Sequence, residues 1–308
     1  MAGFVKKSFK QRMADTGYLL KHSLMIIGVE QDLKTSILRM ALFSAFLTTL
    51  IFFSFFTFFS GILIPLGVLV LLFAIFILIP YKFFFYVRQK ADQSWLVYNA
   101  ITGKDISFKE AHAHTRQHKK ELRYVALVDL LVTYVTSQKK RGKGVGVILV
   151  NIFLAALREV WDLLQHYTIP VVVIEQKGIM AVVPQLKQLR KNVPATLVGV
   201  FGIDFVGGVV NFVLFPVYVL LFALSLGLGF LMTFITSSTI ITIGSFSFSW
   251  VPPLLILYLA FLVGGIFSKF VQAVKTIYFT IFYVSINRPA EITSDIRKDI
   301  TNYLLMKK

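Results

Sequence analysis

Long apolar runs dominate the first part of the chain, and their lengths indicate helices that cross a membrane. Met40–Phe59 and Ile62–Tyr81 are each twenty residues without a charged side chain. At a rise of about 1.5 Å per residue, either run is long enough to cross a hydrocarbon core of about 30 Å. The pattern therefore predicts two spans, joined by the uncharged turn Ser60-Gly61.

A second apolar region lies toward the C-terminus. Phe205–Ser268 contains no charged residue over 64 positions. As one continuous helix it would be about 96 Å long, which is enough for three crossings. Lysine and arginine residues flank both of its ends, and such basic flanks are typical of the cytoplasmic side, so the number of crossings must be even. We therefore expect two spans, Val209–Ile235 and Val251–Phe267, joined by an external loop at 236–250.

The apolar segments between these hairpins are too short to span a bilayer. Val145–Leu157 has thirteen residues and Ile169–Ile174 has six. A strand in lipid would leave backbone groups without partners, so we interpret Ile169–Ile174 as a short helix with Pro170 in its first turn. Segments of this length are typical of re-entrant or interfacial helices, and the two are predicted to form a re-entrant pair. A third full hairpin, giving six spans, is the alternative.

Together these patterns predict an all-α polytopic membrane protein, with two transmembrane hairpins plus short re-entrant or interfacial helices in a single integral membrane domain. Both termini are expected to be cytoplasmic, because basic residues accumulate there. The predicted order is a cytoplasmic amphipathic segment at 1–36, the first hairpin at 37–86, cytoplasmic and half-inserted helices at 87–194, the second hairpin at 195–286 and a cytoplasmic tail at 287–308.

Composition supports residence in a cell membrane, with a bacterial inner membrane as the expected one. Hydrophobic residues make up 56% of the chain, and the net charge is +17. The cations lie beside apolar segments, where they set orientation and meet anionic lipid head groups, so we expect membrane lipids and not nucleic acid as partners. With no cysteine, the chain has no disulfide and no thiolate nucleophile. A homo-oligomer is compatible with this pattern.

One polar stretch has spacing that suits a metal. On a helix, Glu110, His114, His118 and Glu121 would share a face, and imidazole with carboxylate ligands suits zinc or iron. A membrane di-iron enzyme needs several such histidine clusters, and this chain has five histidines in all. We therefore interpret the stretch as a solvated charged face. We expect no metal, no other cofactor and no enzymatic activity.

Ionisable residues near membrane depth are better functional candidates. Such groups are costly in lipid and normally face a bundle interior or a wet cavity. The candidates for a polar path or a structural pair are Arg158, Glu159, Glu175, Asp204 and Asn211. Glu175 ends its apolar run, and we expect Arg158 or Lys177 to hold it.

Four further stretches carry a resemblance to a known family: "HSLMIIGVEQDL", "LVYNAITGKDISFKEAHAH", "REVWDLLQHYTIPVVVIEQKGIMAVV" and "KTIYFTIFYVSI". Their order resembles that of a family of uncharacterised bacterial and archaeal multi-span membrane proteins. The resemblance implies that Trp161, Pro170 and Glu175 are recurring positions. It implies no catalytic residue, because the activity of the family is itself unknown.

These patterns favour a non-enzymatic protein that moves a small solute by transport or through a channel-like path. Short helices with ionisable ends are typical of the sites around which transporters are built. The alternative is a structural or lipid-interacting membrane protein whose in-plane helices lie on the cytoplasmic face.

Overall fold

The structure is a computed structural model that describes residues 21, 23–28, 30–61, 63–138, 145–178, 193–234, 240–243 and 246–293, with the backbone alone at 145, 193–207, 209–211, 213, 241, 243 and 246. The principal elements are α1 (Gln31–Ser60), α2 (Ile64–Phe73), a π-helical turn (Ala74–Leu78), α3 (Ile79–Ile101), α4 (Phe108–Gln117), α5 (Lys119–Ser137), α6 (Val145–Ile174), α7 (Val193–Met232), β1 (Ile240–Ile243), β2 (Phe246–Ser249) and α8 (Val251–Asn287). A short 3₁₀ turn, Pro289–Glu291, follows α8.

The predicted all-α polytopic membrane fold is confirmed. Among the described residues, four helices are long and apolar enough to cross a membrane: Gln31–Ser60, Ile64–Ile101, Leu214–Met232 and Val251–Asn287. Each of them overlaps one of the four predicted spans. Helix α6 is not among these four, because its apolar first half is followed by Arg158, Glu159 and Asp162. The described residues therefore favour four spans over six.

The chain divides into two compact units. Unit 1 comprises residues 1–37, 82–203 and 272–308, and unit 2 comprises residues 38–81 and 204–271. Four long helical segments, Gln31–Ser60, Ile64–Ile101, Val193–Met232 and Val251–Asn287, contribute residues to both units. In Ile64–Ile101 and Val251–Asn287, the apolar side chains are mostly exposed or half-exposed in unit 2, whereas most side chains are buried in unit 1.

Unit 2 presents large apolar side chains on its surface. Phe76, Phe212 and Phe234 are 70%, 76% and 77% exposed. Water-soluble proteins rarely expose so many large side chains together, whereas a helix that faces lipid does so along its whole length. Inside the unit, the hydroxyl groups of Thr49 and Tyr258 lie 3.0 Å apart and form a hydrogen bond between α1 and α8. Unit 2 therefore has the surface expected of a membrane-embedded bundle.

The predicted loop at 236–250 contains a β-hairpin that the sequence pattern did not indicate. Strands β1 and β2 pair antiparallel, with Ile240 opposite Ser249 and Ile243 opposite Phe246. After β2, Trp250 is 5% exposed and its ring lies 5.3 Å from that of Phe56. Alternation of Ser and Thr with apolar residues at 240–249 was the available signal for strands.

Unit 1 has a closely packed core built from α3, α6 and α8. The side chains of Val171, Val172 and Val173 have no exposed surface, and Phe279 has none either. Helix α6 is buried on every side over its last turns, so protein and not lipid surrounds these valines. Ile169–Ile174, which was predicted to be half-inserted in the membrane, therefore lies at the centre of a helical protein core.

Two predictions about α6 are wrong. Val145–Leu157 and Ile169–Ile174 are not separate short helices that form a re-entrant pair, because both belong to the single 30-residue helix Val145–Ile174. Pro170 lies inside this helix and not in a first turn. Within this helix, the Thr168 hydroxyl donates to the Leu164 carbonyl 2.7 Å away. The turns around Pro170 are buried, and their packing stabilises the continuous helix despite the proline.

Candidate functional site

Five buried or half-buried polar side chains meet inside unit 1. This lysine cluster consists of Lys90 from α3, Asp162, Gln165 and His166 from α6, and Lys275 from α8. Lys90 Nζ donates to Gln165 Oε1 over 2.7 Å. Lys275 Nζ donates to Asp162 Oδ2 over 3.1 Å. The spacing of 162, 165 and 166 places the three α6 side chains on one helix face, which explains how one helix supplies them.

His166 is electrically neutral in this cluster. Its Nδ1 lies 2.7 Å from the Asp162 backbone carbonyl, which can only accept, so this nitrogen carries the proton. Burial lowers the pKa of His166 to about 4, and the nearby Lys90 and Lys275 add to the effect, although Asp162 opposes it. Asp162 stays ionised: burial raises its pKa, but His166, Lys275 and Lys90 together outweigh that effect and hold the pKa below its usual range.

The lysine cluster holds more cations than anions. Lys90 and Lys275 are 6% and 7% exposed, and the one carboxylate between them, Asp162, hydrogen-bonds to Lys275. Lys90 contacts a neutral amide instead, and the amide nitrogen of Gln165 has no acceptor among the described residues. A buried charge is costly unless it is paired. The cluster therefore presents hydrogen-bond donors without an acceptor among the described residues, and no described anion hydrogen-bonds to Lys90, although Asp162 and Asp129 act on it electrostatically.

A second polar group lies where α6 and α8 end. Glu175 accepts from both ends of the Arg288 guanidinium, with Nε to Oε1 at 2.8 Å and Nη2 to Oε2 at 3.1 Å. Tyr283 donates to Oε1 at 3.1 Å. Glu291 also pairs with Arg288, at 3.2 Å from Nη1. This two-pronged arrangement suits the flat guanidinium and fixes the end of α6 to the end of α8.

The predicted partners of Glu175 were partly right. Lys177 Nζ lies 3.8 Å from Glu175 Oε2, but this lysine is 50% exposed. Arg158 is wrong as a partner, because it lies on the same continuous helix seventeen residues earlier, roughly 25 Å along the axis. Arg288 is the principal cation. Its hydrogen bonds to Glu175 lower the pKa of that carboxyl and raise the pKa of the guanidinium.

The remaining predicted site residues do not gather in one place. Arg158 and Glu159 are exposed on α6. Trp161 is half-buried, and its Nε1 donates to Asp129 Oδ1 at 3.0 Å, which joins α6 to α5. Asp204 and Asn211 belong to α7, but their side chains lie outside the described ones. The proposed path through these two residues therefore stays a prediction.

The histidine stretch is only partly the solvated face that was predicted, because Glu110 is exposed whereas His114 and His118 are half-buried. A helix break at His118 separates α4 from α5, so the spacing from Glu110 to Glu121 is not that of one helix. The His114 ring stacks on Trp95 with centroids 3.7 Å apart, and its Nε2 lies 3.1 Å from the Val173 carbonyl oxygen. Glu110 caps the start of α4 through Ser107. These side chains have packing and capping roles.

Sequence reasoning missed Lys90, Lys275 and the role of Arg288. Lys275 interrupts the apolar run of α8 between Val274 and Thr276, and a lysine inside such a run was the available signal for a buried cation. Lys90 has no such signal, because its neighbours in sequence are polar. Arg288 was counted only as a basic flank.

Comparisons with protein-family models, curated proteins and solved structures each gave no match to this chain.

Proposed function

We propose that this integral membrane protein binds a small anion in the lysine cluster and moves it across the membrane. The observation that carries the proposal is the buried ammonium of Lys90, whose hydrogen bond among the described residues goes to a neutral amide oxygen. Movement of a small solute also agrees with the four described helices of spanning length.

The donors near Lys90 determine the class of ligand. A lysine ammonium has three hydrogen-bond donors, and Gln165 Oε1 takes up one of them. The amide nitrogen of Gln165 adds donors that have no acceptor among the described residues. Asp162 hydrogen-bonds to Lys275, so an acceptor from outside the cluster would complete the hydrogen bonds of Lys90 and Gln165. A small anion satisfies both the donors and the excess positive charge.

The expected result for Lys90→Met is a loss of anion flux. Removing a charged hydrogen bond of about 1.5–3 kcal/mol corresponds to a reduction of about tenfold to a hundredfold in anion affinity. Flux of chloride, nitrate, phosphate and acetate would be measured separately in vesicles that contain the purified full chain. Methionine replaces the buried ammonium with an apolar side chain of similar length, so the variant should fold.

Lys82→Met is the matched control, since Lys82 lies on the same helix and is half-buried beside the Phe83 ring. We expect it to retain the flux of the unmodified chain. Equal flux in Lys90→Met and the unmodified chain, or flux no higher than in empty vesicles for all four anions, would contradict the proposal.

A further inference from the structure

The hairpin formed by α5 and α6 exposes apolar side chains on both helices. On α5, Tyr124, Leu131 and Tyr134 are 62%, 59% and 64% exposed. On α6, Leu149 and Phe153 are 61% and 66% exposed. Together with Leu127 of α5, at 42%, these residues form what we call the hairpin patch. Large apolar side chains that cluster on a surface are typical of interaction sites.

Helix α5 has two apolar stripes. One stripe, Leu122, Val125 and Ala126, is buried against the rest of unit 1. The other runs through Tyr124, Leu127, Val128, Leu131, Tyr134 and Val135, at intervals of three and four residues, and is exposed. A helix that is apolar on two faces needs an apolar environment for each of them. The rest of unit 1 provides that environment for the buried stripe of α5 but not for the exposed one.

The charges around the hairpin indicate the partner. Residues 130–157 contain no aspartate or glutamate, while the sequence between α5 and α6 contains Lys139, Lys140, Arg141 and Lys143. Exposed Lys119, Lys120 and Arg123 lie at the other end of α5. Two acids also lie on α5: Glu121 is half-buried between Lys120 and Arg123, and Asp129, within the sequence of the patch, accepts a hydrogen bond from Trp161. An apolar surface flanked by more exposed cations than acids matches an anionic lipid surface.

We infer that the hairpin patch binds the surface of an anionic lipid leaflet, with its apolar side chains among the upper acyl chains and the exposed Lys119, Lys120 and Arg123 at the head groups. Tyr124 and Tyr134 suit this location, because tyrosine is enriched where lipid meets water. The four candidate spans keep the patch at high local concentration near a bilayer. The inference is independent of the proposed anion transport, because none of its residues belongs to the lysine cluster.

The test uses the full chain, whose lack of cysteine allows single labels. Leu131→Cys and Phe153→Cys would each carry an environment-sensitive fluorophore in lipid nanodiscs, with Ala113→Cys on the exposed side of α4 as the matched control. Quenching by nitroxide-labelled lipid and by acrylamide would be compared in phosphatidylcholine alone and with added phosphatidylglycerol. Salt would be raised in a parallel series.

With phosphatidylglycerol, we expect the labels at 131 and 153 to be quenched by lipid nitroxide and shielded from acrylamide. Lipid quenching should fall by about fivefold or more without phosphatidylglycerol or at high salt. The label at 113 should stay accessible to acrylamide throughout.

Three results would overturn the inference. The first is equal acrylamide access at 113, 131 and 153, which would place the patch in water. The second is protection of 131 and 153 from both quenchers, which would mean that protein covers the patch. The third is lipid quenching that does not change with phosphatidylglycerol or salt, which would exclude recognition of anionic head groups.

Discussion

Phe279→Ala is expected to lower the free energy of unfolding of unit 1 by about 3–5 kcal/mol. The Phe279 ring has no exposed surface and lies 5.1 Å from the His166 ring and 5.4 Å from the Tyr167 ring. Alanine would leave a cavity between α6 and α8, because the surrounding aromatic rings are too large to fill it by a small shift. Urea unfolding of the full chain in detergent, followed by tryptophan fluorescence, measures the change.

Phe215→Ala is the matched control for this prediction. Phe215 is 63% exposed on α7, so its removal should change the free energy of unfolding by less than about 0.5 kcal/mol. Similar losses in the two variants would show that Phe279 is not at the centre of a packed core.

Glu175→Gln is expected to destabilise unit 1 by about 2 kcal/mol, because it leaves the Arg288 guanidinium without its principal counter-charge. The hydrogen bonds from Arg288 lower the pKa of Glu175 below its ordinary value of 4.5. For a carboxyl whose pKa is lowered on folding, the stabilisation is complete above the unfolded-state pKa and is lost as pH falls through the folded-state pKa. The difference between the unmodified chain and the variant should therefore shrink below about pH 4.5.

Glu291→Gln separates this effect from the general cost of losing a carboxylate. Glu291 pairs with the same arginine but is 43% exposed, so its replacement should cost less than about 0.5 kcal/mol. Unfolding at several pH values provides the measurement for both variants. Equal costs for the two variants, or a constant difference across the pH range, would contradict the assigned role of Glu175.

The membrane-spanning part of the fold followed from sequence because lipid imposes a simple length requirement. Charge-free runs such as Met40–Phe59 predict spans regardless of which side chains they contact. The same rule failed at Ile169–Ile174. A helix buried in lipid and a helix buried in protein both need apolar side chains on all faces, so composition does not distinguish these environments. The contacts of α6 with α3 and α8 show that Ile169–Ile174 is buried in protein. A single sequence does not reveal these tertiary contacts.

The candidate site was less predictable for a related reason. Lys90, Asp162 and Lys275 lie far apart in the chain, and only the packing of three helices brings them together. Glu175 was identified because it ends an apolar run, and Lys177 because it is close in sequence. The main partner, Arg288, is 113 residues away, where no local pattern indicates a pair.

The most direct test of the account is the thermal unfolding midpoint of the purified full chain, measured against the concentration of each small anion. An anion that binds only the folded lysine cluster stabilises it by about 2.7 kcal/mol at a hundred times its dissociation constant. We expect at least one of chloride, nitrate, phosphate and acetate to raise the midpoint, Lys90→Met to abolish the rise and Lys82→Met to preserve it. The same rise in Lys90→Met as in the unmodified chain, or no rise with any of the four anions, would contradict the account.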